Sequence, residues 1–133
     1  MKKSNVKQKG LKHGYRSGLE DKVAKALEAE GIDPQYEAYK IKYKVPERIA
    51  TYTPDFKLPS GIFVETKGRF VVADRQKHLL IKAQQPELDI RFVFSNSKAK
   101  ISKGSKTSYA DWCVKNGFIF ADKEIPKEWL NGS

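Results

Sequence analysis

The sequence predicts an α/β fold in which helices flank a central mixed β-sheet. Three patterns indicate this class: apolar residues at helical spacing after Ser17, strict alternation near position 40, and a strand–helix–strand order over residues 62–94. The 133 residues suit one compact domain. We therefore expect a flexible basic arm over residues 1–16 and a single domain over residues 17–133.

The first predicted helix begins at Ser17. Ser17 and Glu20 have the spacing of a capping box, in which the serine side chain accepts the backbone N–H three residues later. Val23 and Leu27 continue the apolar stripe, and Gly31 ends it. Glu20 lies beside this stripe, so we expect its carboxylate to face the sheet.

Strand-like segments occupy the next part of the chain. Residues 36–45 alternate apolar side chains with lysines, which predicts a strand with one basic face. Residues 46–50 begin with proline and break the alternation, which predicts a linker. Residues 52–58 and 62–67 predict two more strands, joined by a turn at 59–61.

A second helix is predicted over residues 73–85, just before Pro86. Asp74 is the expected N-cap, and Leu79, Leu80 and Ala83 are the expected buried residues.

The rest of the chain adds a strand, a helix and two short elements. Residues 90–94 form an apolar strand, which should pair in parallel with the strand before the second helix through a right-handed crossover. Residues 107–116 predict a capped helix that ends at Gly117. Residues 118–120 predict a short strand, and residues 126–130 a last helical turn.

Composition points to a polyanionic partner. The chain has 26 Lys and Arg against 16 Asp and Glu, a formal net charge of +10, which favours nucleic acid over a merely soluble basic surface. No apolar run reaches the roughly 20 residues of a membrane span, and no signal peptide is apparent. The single cysteine, Cys113, lies in an apolar helical pattern, so we interpret it as a packing residue.

Basic residues cluster in the arm and in the loop over residues 95–106. Such clusters either contact phosphates or are simply solvated, and we favour phosphate contact. The residues predicted to bind DNA are Lys2, Lys3, Lys7, Lys9, Lys12, Arg16, Arg69, Arg75, Lys98, Lys100, Lys103 and Lys106.

The turn at 59–61 fixes a register that gathers polar residues. A three-residue loop pairs Leu58 with Ile62, so that Asp55 falls opposite Glu65. Lys67 is two residues beyond Glu65 and points to the same side. The register therefore predicts that Asp55, Glu65 and Lys67 form one cluster on one face.

Two carboxylates opposite each other repel, and a divalent cation would compensate. Mg²⁺ and Mn²⁺ prefer carboxylate and carbonyl oxygens, so Asp55, Glu65 and the Thr66 carbonyl are candidate ligands. Lys67 either stabilises developing negative charge or, with a lowered pKa, orients or deprotonates water. The alternative is a surface salt-bridge ladder in which Lys67 neutralises both acids.

Longer motifs around these residues resemble a known family. The pattern of PD-(D/E)XK nucleases is matched by Pro54-Asp55 and by Glu65-Thr66-Lys67, which begins ten residues after Asp55. Nearly the whole chain, from about Arg16 to Leu130, resembles endonuclease I of short-tailed bacteriophages. The resemblance is carried by RSGLEDKV at 16–23, TYTPDF at 51–56, GIFVETKG at 61–68 and KHLLI at 77–81.

This resemblance implies a PD-(D/E)XK-like enzyme that resolves four-way (Holliday) junctions and cuts other branched DNA. It implies one or two Mg²⁺ or Mn²⁺ ions per site, no small-molecule cofactor, no membrane partner, and action in the cytoplasm of the infected bacterium. It also implies a homodimer that exchanges segments across residues 46–50. Glu20 would then join Asp55, Glu65 and Lys67 of the other subunit as a catalytic residue and would help to position a second metal.

One position departs from the family's pattern. Gln35 stands where an acidic residue is expected, and Glu37, two residues further along an extended strand, is not counted as a replacement. Two alternatives stay open: an endonuclease of the same superfamily that cuts linear duplex, and a junction-binding protein without catalysis.

Overall fold

The computed structural model describes residues 17–45 and 47–131 and has the predicted α/β class. The basic arm over residues 1–16 lies outside the described residues. The elements are α1 (Gly18–Ala29), β1 (Ile41–Val45), β2 (Arg48–Tyr52), β3 (Phe56–Lys57), β4 (Phe63–Lys67), α2 (Val72–Gln84), β5 (Ile90–Phe94), α3 (Tyr109–Asn116), β6 (Phe120–Asp122) and a 3₁₀ turn at Lys127–Trp129. None of the described helices is both long enough and apolar enough to cross a bilayer.

The main sheet is mixed, as predicted. Its strand order is β3-β4-β5-β6, with β3 antiparallel to β4 and the other neighbours parallel. The pairing of β4 with β5 across α2 confirms the strand–helix–strand unit. Because β4, β5 and β6 are parallel, their carboxyl ends lie at the same edge of the sheet.

Helix α1 covers one face of this sheet. The Ser17 side chain caps it by accepting the backbone N–H of Glu20 at 3.1 Å, which confirms the predicted start. Its buried stripe, represented by Val23 and Leu27, packs in one apolar cluster with Val64 of β4. Burial of this stripe supplies most of the helix's stability, because an isolated helix of this length is marginal in water.

A separate hairpin of β1 and β2 corrects the linker prediction. Residues 36–40 lie before β1, and the strand is half as long as predicted. Residues 48–50 belong to β2, which pairs with β1 from Ile41 opposite Tyr52 to Val45 opposite Arg48. The predicted strand over 52–58 is also interrupted, since β3 begins only at Phe56.

The second helix lies where it was predicted, but a different side of it is buried. Its N-cap is Val71, so Asp74 lies inside the first turn and was wrongly predicted as the cap. The inward residues are Arg75, His78 and Ile81. Of the three residues expected inside, Leu79 and Ala83 are exposed and Leu80 is half-buried. The His78 ring packs edge-on against Tyr52 of β2 and Phe92 of β5. Burial lowers its pKa to about 3, so a neutral imidazole occupies the inward position.

Helix α3 and the chain after it match the prediction closely. Ser108 and Asp111 form a complete capping box, and Gly117 ends the helix at φ 78°. Burial raises the pKa of the Cys113 thiol to about 12, which agrees with a packing role. The last strand, β6, starts two residues later than predicted, at Phe120.

Candidate active site

Asp55 directly precedes β3, which begins at Phe56. The register of β3 on β4 aligns Phe56 with Val64, and Leu58 N–H donates to the Ile62 carbonyl at 2.8 Å, so continuation of the ladder sets Asp55 opposite Glu65, as predicted. In this register the Thr66 N–H points to the side of β3, opposite the residues just before that strand begins.

The Asp55 carboxylate fills this unpaired position. One oxygen, Oδ2, accepts both the Thr66 N–H at 2.9 Å and the Thr66 hydroxyl at 2.8 Å. The Thr66 side chain points away from the face of Glu65, because neighbouring residues on a strand alternate. Asp55 thus lies at the edge of β4 beside Glu65, and its electrostatic coupling to Glu65 and to Lys67 agrees with the predicted cluster.

Glu65 is buried in the middle of β4. The Tyr52 hydroxyl donates to its Oε1 at 2.8 Å, and Lys67 Nζ lies 3.4 Å from its Oε2. Burial raises the pKa of Glu65, although Lys67 and the Tyr52 hydroxyl act in the opposite direction. Both carboxylate oxygens thus have fixed partners, which holds the side chain in one orientation.

Lys67 is a bridging cation at the carboxyl end of β4. Its Nζ lies 3.3 Å from Oδ1 of Asp74, in the first turn of α2, as well as near Glu65. Burial acts to lower the pKa of Lys67, but these two carboxylates outweigh it and the pKa is raised. Without a bound cation Lys67 is therefore an ammonium at neutral pH, which suits the predicted role of charge stabilisation.

Glu20 approaches the site from α1. Its side chain is buried, and the Tyr36 hydroxyl donates to Oε1 at 2.5 Å. The described chain brings Glu20 and Asp55 together without a second subunit. The predicted contribution of Glu20 to a partner's site stays a prediction.

Glu37 joins Glu20 and Asp55, which the sequence did not indicate. One carboxylate oxygen from each of these three residues lies within 4.8 Å of the other two. Glu37 has φ 48°, and its N–H donates to the Asp55 carbonyl at 2.9 Å. The assumption of an extended strand at this point was wrong, because the turn at Glu37 carries its side chain to Asp55.

The carboxylates create a site that favours a cation. Burial, Glu65 and Glu20 together raise the pKa of Asp55 to about 8, despite the two hydrogen bonds from Thr66. Three carboxylates so close together suit a hard divalent ion, whose charge would remove their repulsion. By the alternation of the ladder, the Thr66 carbonyl also points to the side of β3, where Asp55 lies. These residues therefore fit the expected metal.

The comparisons with known proteins identify the family. A family model described as phage endonuclease I matches residues 1–133.

The chain belongs to the phage endonuclease I family.

Two curated relatives extend this result. Endonuclease I of Escherichia phage T7 is 60% identical over 116 residues, which cover 87% of this chain and 78% of the relative. Endodeoxyribonuclease 1 of Enterobacteria phage T3 is 61% identical over 112 residues, which cover 84% of this chain and 74% of the relative. The resemblance noted in the sequence is confirmed.

The basic residues of this phage endonuclease I family member divide into three groups. Those of the arm, Lys2, Lys3, Lys7, Lys9, Lys12 and Arg16, lie outside the described residues. Those with exposed side chains are Arg69, Lys98, Lys100, Lys103 and Lys106. The remaining one, Arg75, is buried.

The placement of Arg75 corrects its assignment to DNA binding. Its Nη1 donates to the Phe70 carbonyl at 2.5 Å and to the Ile101 carbonyl at 3.3 Å. A guanidinium committed to two backbone carbonyls joins α2 to the loop before α3. Arg75 therefore stabilises that loop and does not present its charge to a polyanion.

Sequence reasoning missed four residues of the site: Tyr36, Glu37, Tyr52 and Asp74. The short connection between β4 and α2 was a usable signal for Asp74, since it brings an acid of the first helical turn near the end of the strand. Both tyrosines lack such a signal, because a hydroxyl that donates to a distant carboxylate leaves no local pattern.

Proposed function

We propose that this chain is a divalent-metal-dependent DNA endonuclease that acts in the infected host cell. Membership of the phage endonuclease I family and the names of the two relatives support DNA cleavage. The observation that carries the metal dependence is the close group of Glu20, Glu37 and Asp55, with Glu65 beside it. Such a group in a protein of net charge +10 is suited to hold a cation next to a polyanion.

The proposed ligands are Asp55, Glu65, the Thr66 carbonyl and Glu20, and we add Glu37. A bound Mg²⁺ or Mn²⁺ would activate water and neutralise charge on the scissile phosphate. Thr66 orients the Asp55 carboxylate through two donors, and Tyr36 and Tyr52 fix Glu20 and Glu65 in the same way.

Lys67 has a separate role in this scheme. Its ammonium stabilises the negative charge that develops on the phosphate during hydrolysis. Asp74 and Glu65 hold Nζ from two sides, at 3.3 and 3.4 Å, so little reorganisation is needed when that charge appears.

Branched DNA, four-way junctions above all, is the proposed substrate, and a segment-exchanged homodimer is the proposed assembly. Both rest on the resemblance to endonuclease I. Two active sites in one dimer would allow both strands of a junction to be cut. The competing functions are cleavage of linear duplex and junction binding without cleavage.

Cleavage of a synthetic four-way junction with Mg²⁺ tests the proposal. Asp55→Asn, Glu65→Gln and Glu37→Gln should each lower the rate by more than the roughly 10–100-fold that loss of an outer-shell partner costs. Glu28→Gln is the matched control, since Glu28 is an exposed acid on α1. Unchanged cutting by Glu65→Gln would refute the site, and equal rates on linear duplex would favour the first competitor. Binding without cleavage in both Mg²⁺ and Mn²⁺ would favour the second.

A mixture of two inactive variants tests segment exchange. If Glu20 serves the partner's Asp55, a heterodimer of Glu20→Gln and Asp55→Asn contains one intact site and one doubly altered site. If both residues act within one chain, neither site is intact. Activity regained on mixing would support exchange, and a heterodimer confirmed by mass that stays inactive would refute it.

A further inference from the structure

A polar cleft of about 500 Å³ lies at the carboxyl edge of the sheet, outside the acidic site. Its lining residues are Ser95, Asn96, Lys98, Asp122 and Lys123. All five have exposed side chains. Two of them bring ammonium groups and one brings a carboxylate, so the cleft has a formal charge of about +1.

Strand pairing places the cleft at the same edge of the sheet as Lys67 of the active site. Lys67, Phe94 and Asp122 are partners across β4, β5 and β6. Ser95 follows β5, and its N–H donates to the Lys67 carbonyl at 3.1 Å. Neighbouring strands are about 4.8 Å apart, so the end of β6 is roughly 10 Å from the end of β4.

Lys123 is held in a conformation that few lysines adopt. Its φ is 69°, in the left-handed region, and its N–H donates to the Phe94 carbonyl at 2.7 Å. A non-glycine residue persists there only when its surroundings determine it, and such residues concentrate at functional sites.

Asp122 organises the other wall of the cleft. Its two carboxylate oxygens accept the N–H and hydroxyl of Ser97 at 2.7 and 2.8 Å. Asn96 in turn accepts the Lys98 N–H at 3.0 Å through its side chain. The loop that bears Lys98 is thus fastened to β6, next to Lys123.

We infer that this cleft binds one phosphodiester group of the DNA backbone, near the phosphate that is cut. A net charge of about +1 matches the single negative charge of a diester, and hydroxyl and amide groups supply donors. The inference rests on the proposed function and adds Lys123, Ser95 and Asn96 to the DNA-contacting residues.

The test measures DNA affinity against salt concentration, in chelator so that no cleavage occurs. Each lost phosphate contact should make the slope of log affinity against log salt shallower by about 0.9. Lys123→Gln and Lys98→Gln should each show this change. Lys115→Gln is the charge-matched control. The first turn of α3 lies beside the cleft, because the Ala110 N–H donates to the Ser97 carbonyl, whereas Lys115 lies near the other end of that helix.

Two further variants separate charge from conformation. Lys123→Arg should keep the wild-type slope, whereas Lys123→Gly, which tolerates the positive φ, should lose as much slope as Lys123→Gln. A slope for Lys123→Gln equal to that of Lys115→Gln would overturn the inference. Saturable binding of inorganic phosphate that Lys123→Gln abolishes without changing the DNA slope would overturn it too, since the cleft would then be a free-anion site.

The same proteins distinguish this inference from the proposed function. If the wild type binds DNA but does not cut it with Mg²⁺, the endonuclease proposal fails and the slope comparison still decides the cleft. If the wild type cuts DNA and Lys123→Gln keeps the full slope, only the cleft assignment fails.

Discussion

Replacement of Asp55 by asparagine should stabilise the protein in neutral, cation-free buffer while it abolishes cleavage. Asp55 is 6% exposed, and burial together with Glu65 and Glu20 raises its pKa to about 8. One oxygen accepts both donors from Thr66. The single amide oxygen of asparagine can therefore keep both hydrogen bonds, and the amide is neutral without having to hold a proton.

The size of the effect follows from proton linkage. The ordinary pKa of this carboxyl is 3.8, so between that pH and about 8 the folded chain holds a proton that the unfolded chain has released. Stability then falls as pH rises, by about 1.4 kcal/mol per pH unit. At pH 7 the aspartate therefore costs on the order of 4 kcal/mol, which the variant regains.

Urea denaturation with a chelator, from pH 6.5 to 8, is the assay. The wild type should lose about 1–2 kcal/mol over this window, and Asp55→Asn should show a shallower slope. The window avoids the titration of His78. Burial, Lys77 and Lys67 lower the pKa of His78 to about 3, so its contribution to stability is lost only as pH falls below about 6.5. Mg²⁺ should stabilise the wild type more than the variant. Equal pH slopes, or a variant less stable at pH 8, would refute the reasoning.

Three other changes probe the residues around the site. Tyr52→Phe removes the donor to Glu65 and keeps the ring against His78, so Mn²⁺ affinity measured by calorimetry should fall roughly 10–100-fold; an unchanged affinity would contradict the positioning role. Asp74→Asn leaves Lys67 with Glu65 as its remaining ion-pair partner among the described residues, so the turnover number should fall with little change in KM, and Asp74→Glu should recover part of it. A loss confined to KM would argue for a role in DNA binding instead. Arg75→Gln breaks the bonds to the Phe70 and Ile101 carbonyls, so the free energy of unfolding should fall by about 1–3 kcal/mol while the salt dependence of DNA binding stays unchanged; a slope change near 0.9 would restore Arg75 to the DNA-contacting set.

Local signals were sufficient for the parts of the fold that local chemistry determines. Gly61, at φ 95°, ends the turn that sets the β3–β4 register, and that register alone predicted Asp55 opposite Glu65. The capping residues Ser17 and Ser108 likewise fixed the starts of two helices. In each case the deciding interaction spans at most a few residues along the chain.

Other features depend on distant parts of the chain and could not be predicted. The inward face of α2 includes His78, whose ring contacts Tyr52 and Phe92 from two different strands. Glu37 reaches the site through a positive φ and a bond from its N–H to the Asp55 carbonyl. No spacing rule indicates either arrangement, since both depend on contacts between residues that are far apart in the sequence.

The site brings several acidic side chains together, although burial and mutual repulsion of carboxylates oppose folding. Asp55 and Glu65 are buried with raised pKa values, in a chain whose net charge is +10. A buried carboxyl whose pKa is raised lowers stability at neutral pH, so stability does not account for the acid at position 55. The hydrogen bonds from Thr66 and Tyr52 hold both carboxylates in place although they repel each other. A bound cation attracts both carboxylates and so offsets their repulsion. For this reason we expect Asp55→Asn to lower cation affinity and cleavage and, in chelator, to raise stability.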